Sequence, residues 1–188
     1  MEREKLYMIM LGCKPEGRLT EQHDIFFGIA KSLSELIPHI KNFWPEADGK
    51  IHVDAWRTIT NVGGFEIKIQ RNENRALNDS VQKLYFINLG GYKRDEFEEF
   101  HYKILNVADS LSDATKRSKQ TAFYKHFTFP GAVSHIDDKY GIDIDDIYNV
   151  ADILHRDFTK NFHLQISPNN AGAEDELHIG YLPLSKIK

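Results

Sequence analysis

Four residues in this 188-residue chain have the types and spacing to do chemistry together: Glu21-x-His23 and His52-Val-Asp54. On an extended strand, residues i and i+2 project from the same face. Each pair therefore sets an imidazole beside a carboxylate, which could ligate a divalent metal or orient the imidazole for acid–base work. Both pairs recur, as Glu99-x-His101 and as His135-Ile-Asp137. The candidate metal ligands are thus His23, His52, Asp54, His101, His135 and Asp137, with Glu21 and Glu99 beside them. The bland reading is structural. A histidine at a strand start commonly bonds neighbouring backbone, and an internal repeat preserves structural residues as readily as functional ones. A site is implied only if the two kinds of pair converge in space.

The recurrence belongs to a larger one. Lys5-Leu-Tyr-Met-Ile-Met-Leu-Gly12 returns as Lys83-Leu-Tyr-Phe-Ile-Asn-Leu-Gly90, and over residues 5–42 laid on 83–120 without a gap, 13 of the 38 positions are identical. Such self-similarity fixes architecture before any single element is assigned. The His/Asp pairs sit at a longer offset, which an insertion around Phe123–Gly131 explains; the aromatics of that insertion read as core cover.

The elements that must position these residues follow from pattern. Leu6–Leu11 is a short hydrophobic run ended by Gly12 and reads as a strand, followed by the turn Cys13-Lys-Pro-Glu-Gly17. Residues 23–30 are rich in aromatic and β-branched side chains and predict a second strand. Ser32-Leu-Ser-Glu35 has the form of a capping box. Behind it Leu33, Leu36, Ile37, Ile40 and Phe43 or Trp44 share one helical face, with Pro38 early enough to be tolerated. Ile51–Ile59 and Phe65–Ile69 predict two strands around the turn Asn61-Val-Gly-Gly64. The second copy repeats this order as far as Ser110-Leu-Ser-Asp113. Beyond Gly141, Ile144, Ile147, Tyr148, Ala151 and Leu154 keep helical spacing behind Asp143, which predicts a helix with an aspartate cap. Strands at His163–Ile166 and Leu177–Leu182 complete the chain. The expected architecture is α+β: two tandem, divergent β-β-α-β-β units packed as a pseudo-twofold pair, each a sheet with a helix on one face. The units span 1–70 and 83–188, joined by a polar connector at 71–82.

Composition excludes several classes. With 24 basic against 28 acidic residues the net charge is −4, unlike the basic face of a nucleic-acid binder. The single Cys13 rules out an intramolecular disulfide and an all-cysteine zinc site; copy two has Gly91 there, so a thiol nucleophile would be one-sided. The chain has no apolar run of the roughly 18–20 residues that cross a bilayer, and its opening residues do not resemble a secretory signal. A soluble, cytoplasmic protein is expected. The aspartates between 137 and 146 miss the spacing of a calcium loop and suit a helix N-terminus. Residues 11–17 lack the spacing of a phosphate loop, and no nucleophile-elbow, Cys-x-x-Cys or His-Glu-x-x-His pattern occurs.

Lys5-Leu-Tyr-Met-Ile-Met-Leu-Gly-Cys-Lys-Pro15, Glu21-Gln-His-Asp24, the helix ending at Trp44 and His52-Val-Asp-Ala-Trp56 together resemble the bacterial family called domain of unknown function 1543 (DUF1543), best over residues 5–69. The resemblance implies a small soluble bacterial protein and carries over no activity and no catalytic residue. The β-β-α-β-β order is similar to a β-grasp arrangement by analogy. The functional expectation is a non-enzymatic binding or interaction protein that takes a small molecule or a protein, with no cofactor, as a monomer of pseudo-dimeric repeats or a homodimer. The alternative is a small metal-assisted hydrolase or isomerase that uses the recurrent His/Asp and Glu/His pairs and a divalent metal.

Overall fold

The computed structural model describes residues 3–74, 81–92, 96–126 and 143–188. The chain is mixed α+β, and every strand pairing described is antiparallel. Among the described residues no helix is long and apolar enough to cross a membrane. In chain order the elements are β1 (Lys5–Cys13), β2 (Gln22–Ala30), α1 (Ile37–Phe43), β3 (His52–Ile59), β4 (Asn61–Val62) and β5 (Phe65–Arg71), then β6 (Lys83–Tyr92), β7 (Glu99–Ala108), α2 (Leu111–His126), β8 (Asp143–Asn149) and α3 (Val150–Ile153), and finally α4 (Arg156–Thr159), β9 (Phe162–Pro168) and β10 (His178–Pro183).

Two compact units result, Met1–Asp79 with Leu154–Lys188, and Ser80–Ile153. The boundary near residue 80 falls within the expected connector. The C-terminal segment does not stay with the second copy, as the expected span 83–188 required. It returns to the first unit, where β9 pairs with β5 and β10 with β3.

The first unit holds a four-stranded sheet in the order β10-β3-β1-β2 and a three-stranded one in the order β4-β5-β9. Tyr7, Ile9, Leu11 and Cys13 alternate along β1 and are all buried. The helix covers that face. Gly28, opposite Tyr7, makes room for it: a Cβ there would lie 2.7 Å from Leu36 Cδ2. Leu33, Leu36 and Ile40 fill the interface, and Phe26 meets Phe43 edge-on at 5.4 Å. The expected capping box forms differently. A 3-10 turn at Leu33–Leu36 precedes α1, and Glu35 reaches back to accept from the Lys31 amide at 2.9 Å, while the Ser32 side chain caps nothing. In the second unit Ser110 does cap, its Oγ accepting from the Asp113 amide at 3.1 Å.

The second unit carries the sheet β7-β6-β8, with Tyr85, Ile87, Leu89, Ala108 and Ala114 at its core. Its central pairing copies the first: Lys5↔Ala30 becomes Lys83↔Ala108, and Gly12↔His23 becomes Gly90↔His101. A bulge opposite Met10/Leu11 recurs opposite Asn88/Leu89. Three strands and a helix therefore recur, in the order β-β-α-β. The β-β-α-β-β repeat is not what the units share, because β5 leaves for the separate sheet it forms with β4 and β9.

One element was expected with the wrong period. Residues 143–154 do not form a single capped helix; 143–149 are strand β8, and only Val150–Ile153 are helical. The bulge explains the mismatch. Position 144 pairs with Leu89 and position 147 with Ile87, two residues of one sheet face, so an extra residue stretches the strand period of two to a spacing of three. That spacing imitates a helix. The same register revises the proposed equivalences, since Asp143 occupies the position that His52 holds in the first unit. His135, Asp137 and residues 127–131 of the insertion expected around Phe123–Gly131 lie outside the described residues, while residues 123–126 end α2.

Candidate functional site

The first unit brings Glu21-x-His23 and His52-x-Asp54 together, on the sheet face away from α1. Gly12 lies between them in register, pairing with His23 on one side and His52 on the other. It alternates with the buried Leu11 and Cys13, so it faces the opposite way from the helix-covered core. Glu21, just before β2, and His23 within it stand on one flank; His52 and Asp54 on β3 stand on the other.

Carboxylate and imidazole alternate around a closed quartet. His52 Nε2 lies 3.1 Å from Glu21 Oε1 and 3.3 Å from Asp54 Oδ1. His23 Nε2 lies 3.3 Å from Asp54 Oδ2 and 3.8 Å from Glu21 Oε2. Each carboxylate thus offers one oxygen to each histidine, and both histidines turn Nε2 inward. The quartet has a buried and an open side: the His52 side chain is 9% exposed and that of Asp54 21%, against 41% for His23 and 44% for Glu21. His52 Nε2 and Asp54 Oδ2 are buried and have no hydrogen-bond partner despite their close approach to neighbours. Proximity without hydrogen-bond direction leaves their polarity unsatisfied.

Gly12 is the floor of this arrangement. A Cβ at that position would overlap both Asp54 Oδ2 and His52 Nε2. One wall is Tyr181, whose ring lies 4.4 Å from the His52 imidazole. It reaches there because β10 slips register against β3 between Ile179 and Leu182, and Gly180, at φ +139°, supplies the backbone that the slip needs. On the opposite face of the sheet, where Trp56 pairs with Ile9 and meets Tyr7, His178 stacks on Trp56 at 3.8 Å with an 11° interplanar angle.

Of the residues expected from sequence, His23, His52 and Asp54 meet, with Glu21. His101 is exposed and sits in the second unit at the register position of His23. Gly12 and Tyr181 went unrecognised as parts of the site. Gly12 carried a signal, its recurrence as Gly90 at the same register; Tyr181 carried none, because only the return of β10 brings it near His52.

Cys13 stands outside the quartet. Its side chain points to the core face and its Sγ lies 3.8 Å from the Ala47 carbonyl. Burial raises the thiol pKa, the Glu21 carboxylate adds to this and Lys50 opposes it. Since the thiolate is the reactive form, Cys13 is expected to resist iodoacetamide at pH 8 in the native chain and to be modified fully in denaturant. Rapid native labelling followed by mass spectrometry would show that the core opens there.

No curated protein matches the chain. Among solved structures it is similar to the protein Il1583 from Idiomarina loihiensis, with a TM-score of 0.63 and 21% identity over 97% of this chain and 98% of that one, a likeness of fold. Residues 18–69, the stretch that holds Glu21, His23, His52 and Asp54, match the model of the family described as Domain of Unknown Function (DUF1543).

Proposed function

We propose that the first unit binds a divalent transition-metal ion through Glu21, His23, His52 and Asp54. The observation that carries this reading is the pair of buried, unpartnered atoms His52 Nε2 and Asp54 Oδ2 inside a quartet of ligand-type side chains. A buried polar group without a partner costs about 1–3 kcal/mol, and coordination would supply the partner. The N···O spacings between neighbours around the ring, 3.1–3.8 Å, are compatible with this reading, and the ligand atoms across the ring, which are not all within 4.8 Å of one another, would draw together on the ion. Two donors each about 2.0–2.2 Å from one ion at a tetrahedral angle lie roughly 3.3–3.6 Å apart. Two imidazoles with two carboxylates suit Zn²⁺, Mn²⁺, Fe²⁺, Co²⁺ or Ni²⁺ better than Mg²⁺ or Ca²⁺, which prefer oxygen throughout.

Binding is the primary role in this proposal. Metal-assisted hydrolysis or isomerisation is the second reading, favoured by one feature: the exposed flank formed by Glu21 and His23 would let an external ligand reach the ion. The competing account is a salt-bridge network of protonated histidines that needs no ion. Metal analysis of purified protein, with thermal-shift titrations of Zn²⁺, Mn²⁺ and Ni²⁺, separates them. A stabilising shift is expected that is smaller in His23→Ala, an exposed change the core tolerates, and in His52→Gln than in wild type. At an ion concentration of 100 Kd the stabilisation would be about 2.7 kcal/mol. Equal shifts in wild type and both variants, or none in wild type, would sink the proposal.

A further inference from the structure

We infer that the first unit carries a second transition-metal site, built from His39, His155 and Asp157. One ligand atom from each of the three lies within 4.8 Å of the others. His39 projects from α1, His155 is the residue that caps α4, and Asp157 stands in the first turn of α4. The cluster therefore joins the helix of the first sheet to the segment that returns after the excursion through the second unit.

The donors are held in place before any ion arrives. The His39 ring lies 4.6 Å from the ring of Phe158, which is buried, and 5.8 Å from that of His155. His155 Nδ1 lies 3.4 Å from Asp157 Oδ2 and accepts from the Asp157 amide at 3.3 Å. The short spacing matches adjacent ligands of one ion, and the Nδ1 lone pair that accepts from the Asp157 amide would turn from that amide to the ion on binding. Two imidazoles and one carboxylate, contributed from three points, form a donor set for Zn²⁺, Ni²⁺ or Co²⁺ with the remaining positions open to water. Magnesium is disfavoured by the two nitrogens.

The role of such a site is mechanical. Residues 154–188 supply β9, which completes the sheet of β5, and β10, which brings Tyr181 to His52. An ion across His39, His155 and Asp157 would tie the start of that segment to α1. Binding should then stabilise the seating of β9 and β10, with no need for the quartet to be occupied.

Calorimetric titration of the full chain with Ni²⁺ tests this, comparing wild type with His39→Ala, Asp157→Asn and His23→Ala. Two binding events are expected in wild type. His39→Ala and Asp157→Asn should each weaken one of them at least ~10-fold, since even outer-shell changes cost 10–100-fold, and should leave the other as it was. His23→Ala should do the reverse. A single event lost in His39→Ala and kept in His23→Ala upholds this site and removes the quartet. A single event with the opposite pattern, or events that neither His39→Ala nor Asp157→Asn alters, overturns it. Asp157 is exposed, so its variant keeps the test valid if His39→Ala fails to fold. A second readout is proteolysis: Ni²⁺ should slow cleavage within residues 169–177 in wild type and in His23→Ala, but not in Asp157→Asn.

Discussion

Alanine at position 12 is expected to weaken divalent-ion binding by more than ~10-fold while the chain still folds. A methyl group is a small change, and its effect depends on what it meets. At Gly12 it meets Asp54 Oδ2 and His52 Nε2, the two buried atoms that lack hydrogen-bond partners. His52 has little room to yield, being packed under the Tyr181 ring and 7% exposed as a residue. Overpacking of this kind costs about 1–3 kcal/mol. It also moves donors whose positions must hold to about half an ångström if they are to share an ion. Thermal-shift titration with Zn²⁺ would measure the loss, and circular dichroism would confirm that the sheet persists. Wild-type affinity in Gly12→Ala would mean that the quartet does not hold the ion.

Asp175→Ala is expected to destabilise the first unit by about 2–4 kcal/mol. Asp175 Oδ2 accepts from the amides of Thr60 at 2.7 Å and Asn61 at 3.1 Å, and Oδ1 accepts from Thr60 Oγ1 at 2.6 Å. These three bonds tie the loop before β10 to the turn that follows β3. Hydrogen bonds to a charged acceptor contribute about 1.5–3 kcal/mol each, and removing the acceptor leaves three part-buried donors behind; the sum is discounted because water reaches them. The same carboxylate supports Arg57. Burial lowers the pKa of that guanidinium, and the nearby charges of Asp175 and Glu174 oppose the shift. Both tryptophans, Trp44 and Trp56, lie in the first unit, so urea unfolding followed by fluorescence reports on that unit. Asp175→Asn, which keeps one acceptor oxygen, should fall between alanine and wild type. A midpoint unchanged in Asp175→Ala would show that the loop contributes nothing to stability.

The paired strands β1 and β2 and the first helix were legible because they are local. Residues 5–13 and 83–92 announce strands by composition, and glycine, proline and the serine caps mark where the chain turns. The alternation along β1 separates the helix-covered face from the face that bears Gly12. The two polar pairs of the site could be named on the same ground, since a spacing of two on a strand already puts imidazole and carboxylate on one side. Pattern failed where a bulge changed the period. In β8 the extra residue gave isoleucines three apart, and spacing alone cannot separate that from a helix.

What the sequence determined by itself was the position of most strands, β8 excepted, and the identity of His23, His52 and Asp54 as ligand-type residues. Tertiary structure decided which of these meet. Glu21 and His23 reach His52 and Asp54 because β1 lies between β2 and β3 and carries no side chain at Gly12. Tyr181 and the cluster of His39, His155 and Asp157 depend on a C-terminal segment that leaves the second copy and docks on the first. Such long-range pairing is set by the burial of whole sheet faces and the satisfaction of backbone hydrogen bonds. Those quantities belong to the assembled sheet, so no local spacing encodes them.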